Sequence, residues 1–275
     1  MNEIQELYKG TIKLKFIDSN HSYWVSKKEK SGWTDFERIS GVTTFIGIKD
    51  KSAPMKYWVA RIMHNFCAAI LQEREITKFD LKEAKELHTK RLQEASNIGT
   101  KIHDWISEYL LGKEPSMPQE TVVLQGANAF LDWQKENKLK FIASEIALYS
   151  KEHGFCGKLD AVAKQGKKTY LIDFKTSNGI YNEVMLQTAA YAHAHEEMGL
   201  GKIDGRFELR LEKRTPEEFE LEMDEKGKVN EVYKPFEALE LPGNQDEDFA
   251  GFLAAKNLFE WNKKAEKILK EKLAS

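Results

Sequence analysis

The chain has 275 residues and a formal net charge of −2, and its 41% hydrophobic and 31% charged residues are typical of a globular protein. Its two cysteines are too few for a disulfide framework or a four-cysteine iron–sulfur cluster, so neither is expected. No apolar run approaches the ~20 residues of a membrane span, and the first ten residues lack the apolar core of a signal peptide. We therefore expect no membrane association, a cytoplasmic location and buried free thiols.

The first half of the chain is expected to form a hairpin followed by helices. Apolar and polar residues alternate on both sides of Asp-Ser-Asn at 18–20, which predicts a β-hairpin. A helical region follows Gly41 and is interrupted around Pro54. The predicted helices beyond it cover about 79–95, a segment opening at Ser96 or Asn97, and about 119–137.

The second half changes to a strand pattern. The expected elements are strands over 143–150, 155–164 and 168–177, a helix over 182–199, a hairpin over 206–225 and a long amphipathic helix over 248–273. We predict an α/β fold in one domain, residues 1–275, with a small mixed central sheet flanked by helices. Its parts would be an N-terminal hairpin and helical region (1–95), a core (96–200) and a C-terminal hairpin and helix (201–275).

Two acids and a lysine stand on adjacent predicted strands. Strand periodicity puts Asp173 and Lys175 on one face, about 6–7 Å apart. Pairing with the preceding strand brings Asp160 beside Asp173. Charge inside the apolar run Leu-Ile-Asp-Phe-Lys is costly unless it is compensated, either by a bound metal or by a structural ion pair. With a metal, two hard oxygen ligands suit Mg²⁺ or Mn²⁺, and Lys175 would position the attacking water.

These residues match an ordered set of motifs. The set resembles that of the PD-(D/E)XK nuclease superfamily, specifically its RecB-like exonuclease branch, which includes phage and mitochondrial single-strand exonucleases. The motifs read here as Gly99-Thr100-Lys101-Ile102-His103, Gly157-Lys158-Leu159-Asp160, Asp173-Phe174-Lys175, and Gln187 to Tyr191.

The resemblance covers roughly residues 97–195 and implies a restriction-endonuclease-like core. It implies Asp160, Asp173, His103 and the backbone carbonyl of Phe174 as metal ligands, with Mg²⁺ or Mn²⁺ as the cofactor. It directs the side chains of Gln187 and Tyr191, which share one helix face, toward the active site. An alternative for Tyr191 is that it packs in the core with its hydroxyl hydrogen-bonded. The two roles are compatible with each other.

Further candidates surround this set. Glu145 is either an additional metal ligand, a residue that orients one, or a solvated strand residue. Candidate contacts to nucleic acid are Lys158, Thr176, Ser177 and Asn178.

The resemblance favours a metal-dependent DNA exonuclease with little sequence preference, acting on single strands or duplex ends in recombination, replication or repair. Nothing in the sequence resembles a base-reading module. Two alternatives stay open: a structure-specific or restriction-type endonuclease on the same core, and a catalytically silent nucleic-acid-binding protein.

Overall fold

The N-terminal strands form an antiparallel sheet in the computed structural model, which describes residues 2–17, 20–49, 52–225 and 231–274. The predicted hairpin is present, and Ile12 and Leu14 turn inward with the alternation expected of a half-buried strand. Of the predicted turn residues, Asp18 and Ser19 lie outside the described residues. The strands are β1 (Asn2–Leu7), β2 (Ile12–Ile17), β3 (Ser22–Glu29), β4 (Gly32–Trp33) and β5 (Glu37–Ile39).

Helices follow this sheet and include one that is longer than expected. The helices are α1 (Val42–Ile46), α2 (Ser52–Leu71), α3 (Lys78–Leu110) and α4 (Thr121–Glu136). The predicted boundary at Ser96 or Asn97 is wrong, because α3 runs through both residues. The side chain of Asn97 accepts a hydrogen bond from Gln93 one turn earlier, at 2.9 Å, and so does not cap a helix. The helix begins instead at Thr77, whose side chain forms a reciprocal capping box with Asp80.

The interruption expected around Pro54 lies a few residues earlier. The chain leaves the helical conformation after α1, and Pro54 falls in the first turn of α2. Proline is tolerated there because the first turn needs no backbone N–H donor.

A five-stranded sheet forms the centre of the fold, in the order β10-β9-β8-β7-β6. Strands β6, β7 and β8 form the predicted antiparallel succession, and β9 pairs with β8 in parallel after a helical crossover. The elements are β6 (Lys140–Ser150), β7 (Phe155–Gln165), β8 (Lys168–Lys175), α5 (Glu183–Glu197), β9 (Gly205–Leu211), α6 (Pro216–Glu225), β10 (Phe236–Glu240) and α7 (Gln245–Leu273).

The hairpin predicted over 206–225 is wrong in its second half, which forms α6. The backbone N–H of Glu218 donates to the Thr215 side chain at 3.2 Å, while the Glu218 carboxylate accepts from the N–H of Thr215 at 2.9 Å. This capping box starts a helix, and Phe219 and Met223, four residues apart, bury one face of it. The antiparallel partner of β9 is therefore β10, which comes after α6.

Helices pack on both faces of the central sheet. One face, carrying Leu159 and Leu171, packs against α1, α5 and α7, where Phe252 is fully buried. The opposite face packs against α3 and α4, with Phe130 and Ile172 at its centre. The alternation of Leu171 and Ile172 between the two layers is what a strand buried on both faces requires. The result is the mixed α/β core with flanking helices that the sequence predicts.

Two smaller expectations have mixed outcomes. Cys156 is buried, and burial raises the pKa of its thiol well above the usual value, whereas Cys67 is only half-buried. Of the residues placed on the apolar side of α7, Phe252 and Phe259 pack against the core, but Ile268 is exposed.

In the part of the chain that the structure describes, no helix is both long enough and apolar enough to cross a membrane.

Candidate active site

Asp160 lies where β7 separates from β8 while it remains paired with β6. The β7–β8 pairing ends with Ala161 opposite Ile172, and continuing this register by one residue sets Asp160 opposite Asp173. There the Asp160 carboxylate, in place of a backbone carbonyl, accepts the N–H of Phe174 at 2.7 Å. The gap in the ladder thus lets the side chain of Asp160 turn toward the end of β8, beside Asp173 as the sequence predicts.

Asp173 and Lys175 lie on the same face of β8, as strand periodicity predicts. Their side chains form an ion pair, and Asp173 is almost completely buried. The other carboxylate oxygen, Oδ1, accepts a hydrogen bond of 2.9 Å from the side-chain amide of Gln187 on α5. Asp173 is therefore fixed by a cation on its own strand and by a donor from the crossover helix.

Glu208 is a member of this cluster that the sequence analysis missed. It lies directly opposite Asp173 on the parallel strand β9 and is buried. Burial, followed by the negative charge of Asp173, raises the pKa of Glu208 to about 9, so this carboxyl is protonated at neutral pH. Its signal in the sequence is a charged residue within the otherwise apolar run Phe-Glu-Leu, but only the β8–β9 register shows what it faces.

The remaining charges follow from burial and from their neighbours. Burial raises the pKa of Asp173 above its usual value. Burial acts in the same direction on Asp160, but there the charges of His103 and Lys175 outweigh it and the pKa is lowered. Burial would lower the pKa of Lys175, yet the adjacent Asp173 and Asp160 raise it, so the ammonium stays charged. The cluster thus contains one lysine cation beside carboxylates of unequal acidity.

His103 reaches the cluster from the C-terminal third of α3. Its Nδ1 lies 3.6 Å from the nearer Asp160 oxygen, and its ring packs edge-on against Phe174 at 6.0 Å. Burial would lower its pKa, but the Asp160 carboxylate reverses this and raises it. One turn earlier, a Cβ on Gly99 would lie 3.0 Å from the hydroxyl oxygen of Thr176, so glycine permits this close approach of α3 to the end of β8.

Gln187 and Tyr191 share the face of α5 that meets the sheet. Tyr191 is buried, and its hydroxyl lies 3.5 Å from the Gln187 amide. Its ring lies over Gly157, where a Cβ would come within 2.5 Å of the ring atom Cε1. Tyr191 therefore packs in the core, as one of its two interpretations predicts, and its hydroxyl lies beside the residue that holds Asp173.

Glu145 and Lys158 form an ion pair beside Asp160. Glu145 has a φ of +55°, a left-handed conformation that is uncommon outside glycine and is enriched near functional sites. Burial raises the pKa of Glu145, although Lys158 acts in the opposite direction. Glu145 is thus a half-buried carboxyl close to the site, and the interpretation as a freely solvated strand residue is wrong.

A cleft opens next to Lys175. It is lined by α1, by the start of α5 and by the chain beyond β8, including Thr43, Lys175, Tyr181, Gln187 and Glu208. The predicted contacts Thr176, Ser177 and Asn178 lie in the chain that follows β8, and Ser177, whose hydroxyl bonds the Gly179 carbonyl, lines the cleft itself. Lys158 lies on the other side of Asp160, paired with Glu145.

Comparisons with known proteins return few similarities. No protein-family model and no curated protein matches the chain. Among solved structures, LHK-Exo in complex with dAMP has 13% identity and a TM-score of 0.37, with 86% of this chain and 93% of that chain covered. The alkaline exonuclease LHK-Exo from Laribacter hongkongensis has 12% identity and a TM-score of 0.32, with 84% and 94% covered. Both TM-scores are low, and the functional conclusions rest on this chain's own side chains.

Proposed function

We propose that this protein is a metal-dependent DNA exonuclease that hydrolyses phosphodiester bonds with little sequence preference, on single strands or duplex ends. The observation that carries the proposal is the convergence of Asp160, Asp173 and Lys175 where β7 and β8 separate, with His103 contacting Asp160 and Gln187 contacting Asp173. These elements come from distant parts of the sequence. A purely structural ion pair between Asp173 and Lys175 would not need the other three.

The donor set fits a hard divalent cation. Asp160, Asp173 and His103 offer two carboxylates and an imidazole, and Mg²⁺ or Mn²⁺ favours oxygen ligands supplemented by water. Burial, and after it the charge of Asp160, raises the pKa of Asp173 although Lys175 acts in the opposite direction, and a bound cation would offset the repulsion between these two carboxylates. When bound, such a cation would polarise a phosphoryl oxygen and lower the pKa of a coordinated water.

The protein's own side chains have separate tasks in this proposal. Lys175 stays charged beside Asp173, so it can orient a water or a phosphate oxygen and stabilise the negative charge that develops during hydrolysis. Gln187 fixes the direction of the Asp173 carboxylate by donating to Oδ1. His103 contacts Oδ1 of Asp160, the oxygen that does not accept the Phe174 N–H. The backbone carbonyl of Phe174 is a further proposed metal ligand.

DNA is proposed as the substrate, and the cleft beside Lys175 is lined by side chains that could contact a nucleic-acid backbone and its bases. Ser177 and Tyr181 line it, and a half-exposed tyrosine can stack on any base. Thr176 and Asn178 are proposed contacts to the backbone near it. Contacts of this kind favour binding without sequence preference.

The test compares end-labelled single-stranded DNA, linear duplex DNA and closed circular DNA, each with Mg²⁺, Mn²⁺ or EDTA. Asp173→Ala and Lys175→Ala are measured beside wild type, with Lys168→Ala as a matched control. Lys168 lies on the same strand as Lys175 but is exposed at its other end. We expect metal-dependent loss of label from linear DNA, lowered at least ~100-fold in the two site variants and unchanged in the control.

The outcomes separate the competing functions. Cleavage of closed circles would identify an endonuclease on the same core. Binding of DNA without cleavage of any substrate would identify a silent binding protein. Wild-type rates in Asp173→Ala and Lys175→Ala would refute the site assignment.

A further inference from the structure

A second group of metal-ligating side chains lies beside the start of β7. Glu152 and His153 belong to the turn between β6 and β7, and His193 lies on α5. One ligand atom from each of the three lies within 4.8 Å of the other two. The five residue steps from Phe155 to Asp160 separate this turn from the proposed active site by about 17 Å along the strand.

The distance between the side chains of Glu152 and His153 suits two ligands of one metal ion better than two hydrogen-bond partners. His153 Nε2 and the nearest Glu152 oxygen are 3.7 Å apart, beyond the usual reach of an N–H···O hydrogen bond. Two ligands on one tetrahedral Zn²⁺, with bonds of about 2.0–2.2 Å, lie about 3.4 Å apart. The pair therefore needs only a small adjustment to share an ion.

His193 supplies an independent observation. Its Nε2 is buried and has no hydrogen-bond partner among the described residues, which is unusual for a buried polar atom. A metal ion at this point would satisfy the unpaired nitrogen.

The cluster is held in place by its surroundings. Phe249 of α7 stacks on the His193 ring at 3.9 Å and meets the His153 ring edge-on at 5.2 Å. Glu197, one helical turn after His193, fixes the turn to α5. Its carboxylate accepts a hydrogen bond from the backbone N–H of Lys151 at 2.7 Å. The two histidines are thus preformed and lose little side-chain entropy when they bind an ion, whereas the exposed Glu152 side chain becomes ordered on binding.

We propose that Glu152, His153 and His193 form a binding site for a divalent transition metal of the Zn²⁺ class. Two imidazoles with only one carboxylate favour Zn²⁺ or Co²⁺ over Mg²⁺, which takes mainly oxygen ligands. The bound ion joins the β6–β7 turn to α5, and the exposed side of Glu152 leaves room for water at the remaining position.

The test uses the full chain carrying Asp173→Ala, which removes a ligand of the proposed nuclease site that could also take up the probe metal. After treatment with EDTA and its removal, the protein is titrated with Co²⁺ and followed by visible absorption, then with Zn²⁺ in competition. We expect saturable binding of one ion per chain, an intense low-symmetry Co²⁺ spectrum, and displacement by Zn²⁺ but not by Mg²⁺.

Variants decide which residues bind the ion. Glu152→Gln and His193→Gln should each weaken Co²⁺ binding at least ~10-fold. His64→Gln, an exposed histidine on α2, is the matched control and should bind as its parent does. Because the Glu152 side chain is mostly exposed, its substitution leaves the fold intact even if His193→Gln does not. Unchanged binding in Glu152→Gln and His193→Gln, or the weak spectrum of six-coordinate Co²⁺, would overturn the proposal.

Discussion

Gly157 gives a sharp test of how the sheet and α5 fit together. A Cβ at this position would lie 2.5 Å from Cε1 of Tyr191 and 3.3 Å from Cδ1 and Cζ. Carbon atoms pack at about 3.5–4.0 Å, so the ring would have to move by about 1 Å to admit a methyl group. Gly157→Ala should therefore destabilise the protein by about 1–3 kcal/mol, the usual cost of overpacking.

A double-mutant cycle isolates the cause. Tyr191→Ala removes the ring and should itself cost about 3–5 kcal/mol, because it leaves a cavity in the core. In that background Gly157→Ala has no ring to displace, and it should be neutral or stabilising by up to about 1 kcal/mol, since alanine restricts the unfolded chain more than glycine does. The loss of unfolding free energy caused by Gly157→Ala should thus disappear, or become a gain, when the Tyr191 ring is absent.

The assay is urea unfolding in EDTA, with the free energies of unfolding compared at equal denaturant dependence. Gly179→Ala is the control, because the nearest atoms to its added Cβ lie at 3.9 Å, an ordinary contact. It should change stability by less than about 0.5 kcal/mol. If Gly157→Ala costs the same with and without the Tyr191 ring, the steric explanation is refuted.

Three further predictions concern the site and the fold. His103→Asn should raise the metal concentration needed for half-maximal nuclease activity about 10-fold while leaving DNA binding in EDTA unchanged, and a parallel loss of DNA binding would contradict this. Gln187→Ala leaves Oδ1 of buried Asp173 without its donor and should lower both the cleavage rate and, by about 1–3 kcal/mol, the stability to urea; unchanged stability would speak against the hydrogen bond. Burial would raise the pKa of Glu212, but hydrogen bonds from Arg214 lower it to about 2 from the ordinary 4.5, so its contribution to stability is present above about pH 4.5 and lost as the pH falls toward 2. Glu212→Gln should accordingly cost about 3–5 kcal/mol at pH 7 and much less at pH 3, and an equal cost at both values in urea unfolding would refute the assignment.

Local patterns were sufficient for most of the fold. The alternation within Leu-Ile-Asp-Phe-Lys determines that Asp173 and Lys175 share a face, because successive side chains of a strand point to opposite sides. The antiparallel succession β6-β7-β8 also followed from short turns between apolar runs. The wrong predictions concern helix starts: Asn97 lies inside α3 and does not cap a helix, and the capping box at Thr215 starts α6 where the sequence pattern predicts a strand.

Residue order and strand periodicity are enough to predict which residue types stand on which strand face, and hence that two acids and a lysine gather at the end of β8. Which other residues join them depends on tertiary packing. The parallel register of β9 places Glu208 opposite Asp173, and the fold of the β6–β7 turn onto α5 brings His153 to His193. Such contacts depend on how distant elements pack, and side-chain periodicity carries no information about the partner that an element will meet.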